Sequence, residues 1–175
     1  MGFEPLMSGQ FVVMGVSGCG KSSVGRMLAE RTGGLFIDGD DFHPATNISR
    51  MAASIPLTNE DRWPWLDALN NQLKSHAQDA RCLFLACSAL RQSYRDRVGA
   101  GLPQLRFIYL RGSKELLLAR MQRRQNHFMP ATLLDSQFAT LEEPRDAIVV
   151  GVADPVPKIV EHVLDQIAQA PRGLS

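Results

Sequence analysis

Short apolar runs alternate with helix-like segments along the whole chain. Five runs have the length of a strand and stay apolar at nearly every position, whereas a half-exposed strand would alternate apolar and polar residues. A continuous apolar run indicates a strand covered on both faces, as in a parallel sheet between layers of helices. The predicted strands are residues 11–14, 35–37, 82–87, 105–110 and 147–150.

Between these strands, apolar residues recur at spacings of three and four, which is typical of amphipathic helices. The first predicted helix carries Val24, Met27 and Leu28 on one face and ends at Gly33 and Gly34. The remaining predicted helices are a short one near residues 45–51, one carrying Trp65, Leu69 and Leu73, one carrying Leu117, Arg120 and Met121, and a last one near residues 156–170.

Two of these helices begin at recognisable capping residues. Thr58, with Asp61 three residues later, is typical of an N-terminal capping pair, and Pro64 is expected in the first turn of the same helix. Ser113 is expected to cap the helix after the fourth strand. The alternation of strands and helices predicts an α/β fold, a five-stranded parallel sheet with helices on both faces.

The length of 175 residues, without a linker-like stretch, predicts a single domain that spans residues 1–175. Nineteen Lys and Arg against eighteen Asp and Glu leave a net charge of +1, so the overall charge provides no surface for nucleic acid or an anionic membrane. The three cysteines lack metal-ligand spacing and are expected to be reduced. No apolar run could cross a bilayer, and the first residues do not resemble a signal peptide. We therefore expect a cytoplasmic protein with no nucleic-acid or membrane partner.

A glycine-rich segment directly follows the first predicted strand and precedes a predicted helix. We call residues 15–22 the phosphate loop because Gly-Val-Ser-Gly-Cys-Gly-Lys-Ser matches the pattern G-x-x-x-x-G-K-[ST]. Its glycines allow backbone N–H groups to converge on phosphate oxygens, and the helix N-terminus adds its positive dipole. Lys21 is expected to reach the β- and γ-phosphates, and Ser22 to ligate Mg²⁺. The predicted nucleotide-binding residues are Gly15, Val16, Ser17, Gly18, Cys19, Gly20, Lys21, Ser22 and Ser23.

Three carboxylates, Asp38, Asp40 and Asp41, follow the second predicted strand. Ligands of parallel sheets bind at the carboxyl ends of the strands, so these acids are expected beside the phosphate loop. The third strand, another common source of the metal-binding acid, ends in Cys87 and Ser88 and offers no carboxylate. We therefore assign Asp40 the base or orienting role toward an attacking hydroxyl, and Asp38 a water-mediated role at Mg²⁺.

Basic residues cluster at the end of the helix that follows the fourth strand. Arg120 and Arg124 share one helical face, and arginine suits a transferring phosphoryl group because its guanidinium neutralises charge without losing its proton. The next segment, up to Pro130, forms with these arginines either a closing lid that excludes water or a solvated basic helix end. The residues alone leave both interpretations open.

Other basic residues are candidates for contact with an anionic acceptor, namely Arg62, Arg91 and Arg95. Arg62 is expected in the first turn of its helix, where a cation is unfavourable, and this favours another use. The alternative for Arg91, Arg95 and Arg97 is a charged helix surface, which we favour for most of them. His43 is either a substrate contact or a loop residue.

These motifs together resemble the gluconokinases, small P-loop kinases that transfer the γ-phosphoryl group of ATP to the terminal hydroxyl of D-gluconate. The resemblance covers roughly residues 11–144. A vast superfamily shares the phosphate loop, whereas Asp-Gly-Asp-Asp-Phe-His-Pro at residues 38–44 and His-Phe-Met-Pro at residues 127–130 are far more specific. Further matching blocks are residues 47–48, 56–58, 61–62, 64–66, 87–90, 94–96, 119–121, 136–138 and 141–144.

The resemblance implies a P-loop kinase fold similar to shikimate and nucleoside monophosphate kinases, with a lid at about residues 122–140, often as a homodimer. It implies ATP and Mg²⁺ as cofactors, D-gluconate as substrate, and a product that enters the pentose phosphate and Entner–Doudoroff routes. Cys19 departs from the family's usual serine, which matters little because only its backbone is needed. The implied site is catalytic Lys21, Asp40, Arg120 and Arg124, metal-binding Ser22 and Asp38, and substrate-binding Asp40, His43, Arg62, Ser88 and His127.

Two other functions are compatible with a phosphate loop. A related small kinase could act on another acceptor, such as shikimate or a nucleoside monophosphate. A non-catalytic nucleotide switch is the more distant alternative, because the chain contains no Asn-Lys-x-Asp guanine signature and a mere binder has no use for Asp38 and Asp40.

Overall fold

The computed structural model describes residues 8–123 and 131–169. Its five strands are each within one residue of the predicted bounds at both ends, and all pair in parallel. They are β1 (Gln10–Met14), β2 (Leu35–Asp38), β3 (Leu83–Ala86), β4 (Arg106–Arg111) and β5 (Ala147–Gly151). The order across the sheet is β2-β3-β1-β4-β5. The prediction of a five-stranded parallel sheet is confirmed.

Helices connect successive strands, and a 3₁₀ turn (Gly39–Phe42) follows β2. Helix α6 (Ala131–Thr140) falls within the predicted lid, whereas Arg124 and His127 lie outside the described residues. None of the described helices is long and apolar enough to cross a membrane. The helices are α1 (Lys21–Thr32), α2 (Ala45–Ala52), α3 (Asn59–Ser75), α4 (Gln92–Val98), α5 (Lys114–Arg123), α6 (Ala131–Thr140) and α7 (Val156–Gln169).

The core lies on both faces of the sheet because successive side chains of the central strand point in opposite directions. Phe11 and Val13 of β1 belong to a cluster with residues of α1 and α7, whereas Val12 and Met14 belong to a cluster with residues of α3 and α4. Strand β5 differs from the expectation of full coverage: Val149 is 41% exposed, since β5 forms an edge of the sheet.

The strand order places a crevice beside the end of β1. Strand β1 pairs with β3 on one side and β4 on the other, so the connections of the sheet run in opposite directions from this point. In open parallel sheets, such a switch point at the carboxyl ends of the strands is where ligands bind. At this edge the phosphate loop follows β1, Asp38 is the last residue of β2, and Ser88 lies just beyond β3.

The predicted capping residues do begin their helices, but Pro64 is not where we expected it. Thr58 Oγ1 accepts the N–H of Asp61 at 3.1 Å, and Asp61 Oδ2 accepts the N–H of Thr58 at 2.9 Å. This capping box begins α3 at Asn59 and therefore puts Pro64 in the second turn, not the first. Ser113 Oγ accepts the N–H of Leu116 at 3.2 Å at the start of α5.

The expectation of a charged helix surface holds for Arg91 and Arg97, which are exposed, but it is wrong for Arg95. Only 3% of Arg95 is exposed, because its guanidinium turns inward to the backbone carbonyls of Ala89, Leu90 and Glu142. The chain's cysteines, all within the described residues, are buried and form no disulfide.

Candidate active site

The phosphate loop curls between β1 and α1 on backbone that favours glycine. Gly20, the N-cap of α1, has a φ of 93°, in the left-handed region that costs other residues strain. A Cβ placed there would meet nothing within 4 Å, so this side of the loop is open. No side chain of the described residues caps α1, which leaves the N–H groups of its first turn for an anion. Lys21 Nζ donates to Val16 O at 3.1 Å across the loop.

A chain of hydrogen bonds joins α1 to the acidic turn after β2. Ser22 Oγ donates to Asp38 Oδ2 at 3.3 Å, and the N–H of Asp40 donates to Asp38 Oδ1 at 3.0 Å. The turn lies against β3, because a Cβ on Gly39 would be only 2.4 Å from the carbonyl oxygen of Ala86. Only glycine allows this approach, which holds Asp38 next to the phosphate loop.

The carboxyl group of Asp40 is tuned by its surroundings. Burial raises its pKa above the usual value, and the neighbouring carboxylates of Asp38 and Asp41 raise it further, whereas the charge of Lys21 lowers it. A carboxylate with a raised pKa is a stronger proton acceptor than an ordinary aspartate, which suits a base or an orienting group for a hydroxyl.

The same residues fit a magnesium ion. Mg²⁺ prefers oxygen ligands, keeps several waters, and is typically held by one or two carboxylates together with substrate phosphates. The hydroxyl of Ser22 and the carboxylate of Asp38 supply such oxygens beside the phosphate loop. Within residues 8–123 and 131–169, no group of three or more His, Cys, Asp or Glu side chains is placed to hold a metal ion. A magnesium ion here would therefore also need oxygens from the substrate phosphates and from water.

His43 lies against an aromatic side chain, next to the acidic turn. Its ring stacks on Trp65, with centroids 4.0 Å apart, and Trp65 Nε1 donates to Gly39 O at 2.8 Å. Burial lowers the pKa of His43 to about 4, and the charge of Arg62 contributes to the shift. Asn47 Nδ2 lies 3.3 Å from His43 Nδ1 and donates to a backbone carbonyl, so Nδ1 accepts and the proton of neutral His43 is assigned to Nε2.

Arg62 lies in the first turn of α3 and is held by the segment before that helix and by an aromatic side chain of α4. Its Nη1 donates to Leu57 O at 2.7 Å and to Tyr94 Oη at 3.1 Å, and the guanidinium lies 5.2 Å from the centre of the Tyr94 ring. Because its charge lowers the pKa of His43, the two side chains are electrostatic neighbours. The structure thus brings together two residues of the predicted acceptor side.

Ser88 connects the end of β3 to the phosphate loop. Its carbonyl oxygen accepts the N–H of Gly15 at 3.3 Å. The next residue, Ala89, has a φ of 47° and is fully buried. A left-handed conformation at a non-glycine residue costs on the order of 1 kcal/mol or more, and such strain clusters at functional sites.

The arginine predicted for phosphate contact has a different partner in the structure. Arg120 donates to the carbonyl oxygen of Val152, in the loop between β5 and α7. Its helix nevertheless reaches the phosphate loop, since a Cβ on Gly18 would lie 3.3 Å from Met121 Cγ. Ser23 is exposed in the first turn of α1.

One polar contact at the loop was missed by the sequence reasoning. Gln137 of α6 exchanges two hydrogen bonds with Ser17. The available signal is a polar residue in an otherwise apolar stripe, because Leu134, Phe138 and Leu141 recur at helical spacing around it. Its partner, 120 positions earlier, carries no signal in the sequence.

Comparison with known proteins identifies the family. A family model described as an AAA domain matches residues 12–131. The thermosensitive gluconokinase of Escherichia coli (strain K12) is 44% identical over 161 residues, which are 89% of this chain and 86% of that protein. The crystal structure of a gluconokinase from Sinorhizobium meliloti 1021 is 46% identical, with a TM-score of 0.84 over 92% of each chain.

A more distant structure shares the fold alone. Shikimate kinase from Aquifex aeolicus vf5 is 13% identical, with a TM-score of 0.60 over 90% of this chain and 95% of that chain. It confirms the predicted P-loop kinase fold. The identity to the Escherichia coli and Sinorhizobium meliloti proteins extends along most of both chains, well beyond the phosphate loop that many kinases share, and this chain belongs to the gluconokinase family.

Proposed function

We propose that this protein is a gluconokinase, which transfers the γ-phosphoryl group of ATP to the 6-hydroxyl of D-gluconate and yields 6-phospho-D-gluconate and ADP. The observation that supports this proposal most directly is the chain of hydrogen bonds from Ser22 through Asp38 to Asp40, beside the phosphate loop. It supplies oxygens for a metal and a carboxylate for a hydroxyl within one short stretch. The family membership supports gluconate as the acceptor.

In this proposal the phosphate loop binds the nucleotide through its backbone. The open side of the loop at Gly20 and the first turn of α1 offer N–H groups to phosphate oxygens. Lys21 exchanges its bond to Val16 O for a phosphoryl oxygen, since its long side chain turns easily. The complete proposed set is Gly15, Val16, Ser17, Gly18, Cys19, Gly20, Lys21, Ser22 and Ser23; within it the N–H of Ser17 already donates to Gln137 Oε1, so Ser17 contributes through the shape of the loop.

Ser22 and Asp38 would hold Mg²⁺, which, when bound, neutralises charge on the β- and γ-phosphoryl oxygens. Asp38 acts through water, because its Oδ1 already accepts the N–H of Asp40. This arrangement also fixes the distance between the metal-binding oxygens and Asp40, so that the acceptor hydroxyl and the phosphoryl group are oriented toward each other.

Asp40 receives the acceptor's proton. The 6-oxygen of gluconate forms a bond to the γ-phosphorus, the bond from that phosphorus to the bridging oxygen breaks, and the hydroxyl proton passes to the carboxylate of Asp40. A general base of this kind contributes about 10²–10⁴ in rate. Arg120 and Arg124 are proposed to neutralise the transferring phosphoryl group.

The acceptor is proposed to lie against Arg62, His43 and Ser88, and His127 is a further proposed substrate-binding residue. Arg62 is the cation of this group and can attract a carboxylate, while neutral His43 offers its Nε2–H to a hydroxyl. The roles of Arg124 and His127 depend on the family resemblance.

The test is release of ADP from ATP and Mg²⁺ with D-gluconate, compared with shikimate, nucleoside monophosphates and no acceptor. We expect turnover only with gluconate, and a loss of about 10²–10⁴ in kcat for Asp40→Asn with ATP binding retained. Lys21→Ala should also abolish turnover. Asp165→Asn is the matched control, because it makes the same change at an exposed carboxylate of α7 that has no role in the proposed site. Turnover with another acceptor but none with gluconate would refute the proposal.

We further propose that residues 1–175 act as one domain with a lid at about residues 122–140, in the cytoplasm and as a homodimer. Light scattering after gel filtration gives the mass in solution, and the mass of a monomer, 19.3 kDa, would contradict the dimer.

A further inference from the structure

Helix α6 presents a polar side chain on its buried face. Leu134 is fully buried, and Phe138 and Leu141 pack against the same core cluster. Gln137 occupies the inward position between them, three residues after Leu134. A polar group at such a position is costly unless it is hydrogen-bonded, so its partner indicates its purpose.

That partner is Ser17 of the phosphate loop, and the pairing runs in both directions. The N–H of Ser17 donates to Gln137 Oε1 at 2.7 Å, and Gln137 Nε2 donates to Ser17 Oγ at 2.8 Å. The two bonds are complementary, because the amide has one acceptor and one donor side and Ser17 matches both. They fix α6 and the loop relative to each other.

The contact lies on the part of the loop that faces protein. Gly18, next to Ser17, approaches Met121 of α5, with 3.3 Å between a Cβ placed on Gly18 and Met121 Cγ. At Gly20, by contrast, a Cβ would meet nothing within 4 Å. The loop is therefore braced by α5 and α6 at Ser17 and Gly18, and open where Gly20 begins α1.

We propose that Gln137 is a positioning residue that braces the phosphate loop for nucleotide and fixes α6 over it. This inference rests on the proposed nucleotide site. A loop held in its binding conformation loses less conformational freedom when phosphate binds, so affinity increases. The side chain of Gln137 is hydrogen-bonded to the phosphate loop and not to Arg62 or His43, the residues proposed to bind the acceptor. Its substitution should therefore change the KM for ATP and leave the KM for gluconate unchanged.

The experiment measures the affinity of the full-length protein for ATP and ADP by calorimetric titration with Mg²⁺. Gln137→Met keeps the size of the side chain and removes both hydrogen bonds, and we expect nucleotide to bind about 5- to 30-fold more weakly. Ser17→Ala removes only the hydroxyl and should cost about 5-fold or less. The control Ala139→Met adds the same side chain at an exposed position of α6 and should bind like the wild type.

A double variant separates the loss of this specific contact from a general loss of stability. If the two residues act as one contact, Ser17→Ala should change affinity little once Gln137→Met is present. Independent, additive effects would overturn the inference. So would a Gln137→Met protein that loses thermal stability but keeps wild-type nucleotide affinity while folded. Tighter binding would also overturn it, because the contact would then compete with phosphate.

These outcomes are distinguishable from a failure of the proposed function. Nucleotide binding is measured without gluconate, so a wild type that binds ATP but does not phosphorylate gluconate would refute the reaction and leave the role of Gln137 standing. A wild type that binds neither ATP nor ADP would refute both.

Discussion

The substitution Arg95→Met tests whether the hydrogen bonds of a buried guanidinium, which join three parts of the chain, stabilise the fold. Arg95 donates four hydrogen bonds, to Ala89 O at 2.7 Å, Leu90 O at 3.2 Å, Gln92 Oε1 at 3.1 Å and Glu142 O at 2.8 Å. Burial lowers the pKa of Arg95, and the charge of Glu142 opposes the shift. The acceptors are neutral oxygens, so the side chain stabilises the loops through hydrogen bonds rather than an ion pair.

The expected cost follows from the carbonyl oxygens that lose their donor. Leu90 O keeps the N–H of Glu142 at 2.8 Å, so it remains paired. Ala89 is fully buried, and its carbonyl loses the donor from Arg95, whereas Glu142 is exposed, so water can replace the donor that its carbonyl loses. An unpaired buried carbonyl costs about 1–3 kcal/mol. Part of this is offset because the guanidinium, whose Nε has no hydrogen-bond partner, no longer has to be desolvated. We expect a net loss of about 1–3 kcal/mol.

The assay is urea unfolding followed by circular dichroism, supported by a thermal scan. For a protein of this size the expected loss corresponds to a fall in Tm of roughly 2–12 °C. Arg97→Met is the matched control two residues later on α4, because Arg97 is exposed, pairs with exposed Asp67 and otherwise lies over the Trp63 ring, where the methionine side chain can still pack. It should change the Tm far less. An Arg95→Met protein as stable as the wild type would refute the argument that these hydrogen bonds stabilise the fold.

Three further predictions concern the acidic turn and its surroundings. Gly39→Ala places a Cβ 2.4 Å from Ala86 O, so it should displace the acidic turn and abolish phosphorylation of gluconate in steady-state assays, while calorimetry still detects bound ATP. Because the pKa of His43 falls from 6.5 to about 4 on folding, stability should decline as the pH falls from about 6.5 to 4; His43→Gln should flatten that decline in urea unfolding, and an unchanged slope would contradict it. Thr58→Ala removes the cap that pairs with Asp61 and should lower the free energy of unfolding by about 1 kcal/mol, and an equal denaturation midpoint would count against the cap.

Local sequence patterns were sufficient to predict the strands of the sheet and the chemistry of the loops that follow them. The strands were found because continuous apolar runs indicate burial on both faces, and the capping pair at Thr58 located α3. The phosphate loop and Asp38 could be placed together because the carboxyl ends of parallel strands meet at one edge. The hydrogen bond from Ser22 to Asp38 agrees with that expectation.

Contacts between distant segments could not be predicted in this way. Arg95 follows the pattern of an exposed helix, and its burial is decided by carbonyl oxygens of two loops, one of them 47 residues away. Gln137 meets Ser17 across 120 residues. The stacking of His43 on Trp65 likewise depends on how α3 packs, and burial at this position lowers the pKa of the histidine. Composition and periodicity contain no information about such pairs.

The position of β1 at the centre of the sheet has a consequence for synthesis on the ribosome. β1 is the first strand to be made, yet its partners come much later: Phe11 pairs with Phe84 of β3 and Arg106 of β4. At roughly 5–20 residues per second, about 5–20 s pass before both neighbours have been translated. Until then the apolar strand and the phosphate loop lack at least one of the two strands that flank them in the sheet. Nascent chains that stop before β4 should therefore be good chaperone substrates and poor nucleotide binders, and slow translation should prolong that exposure.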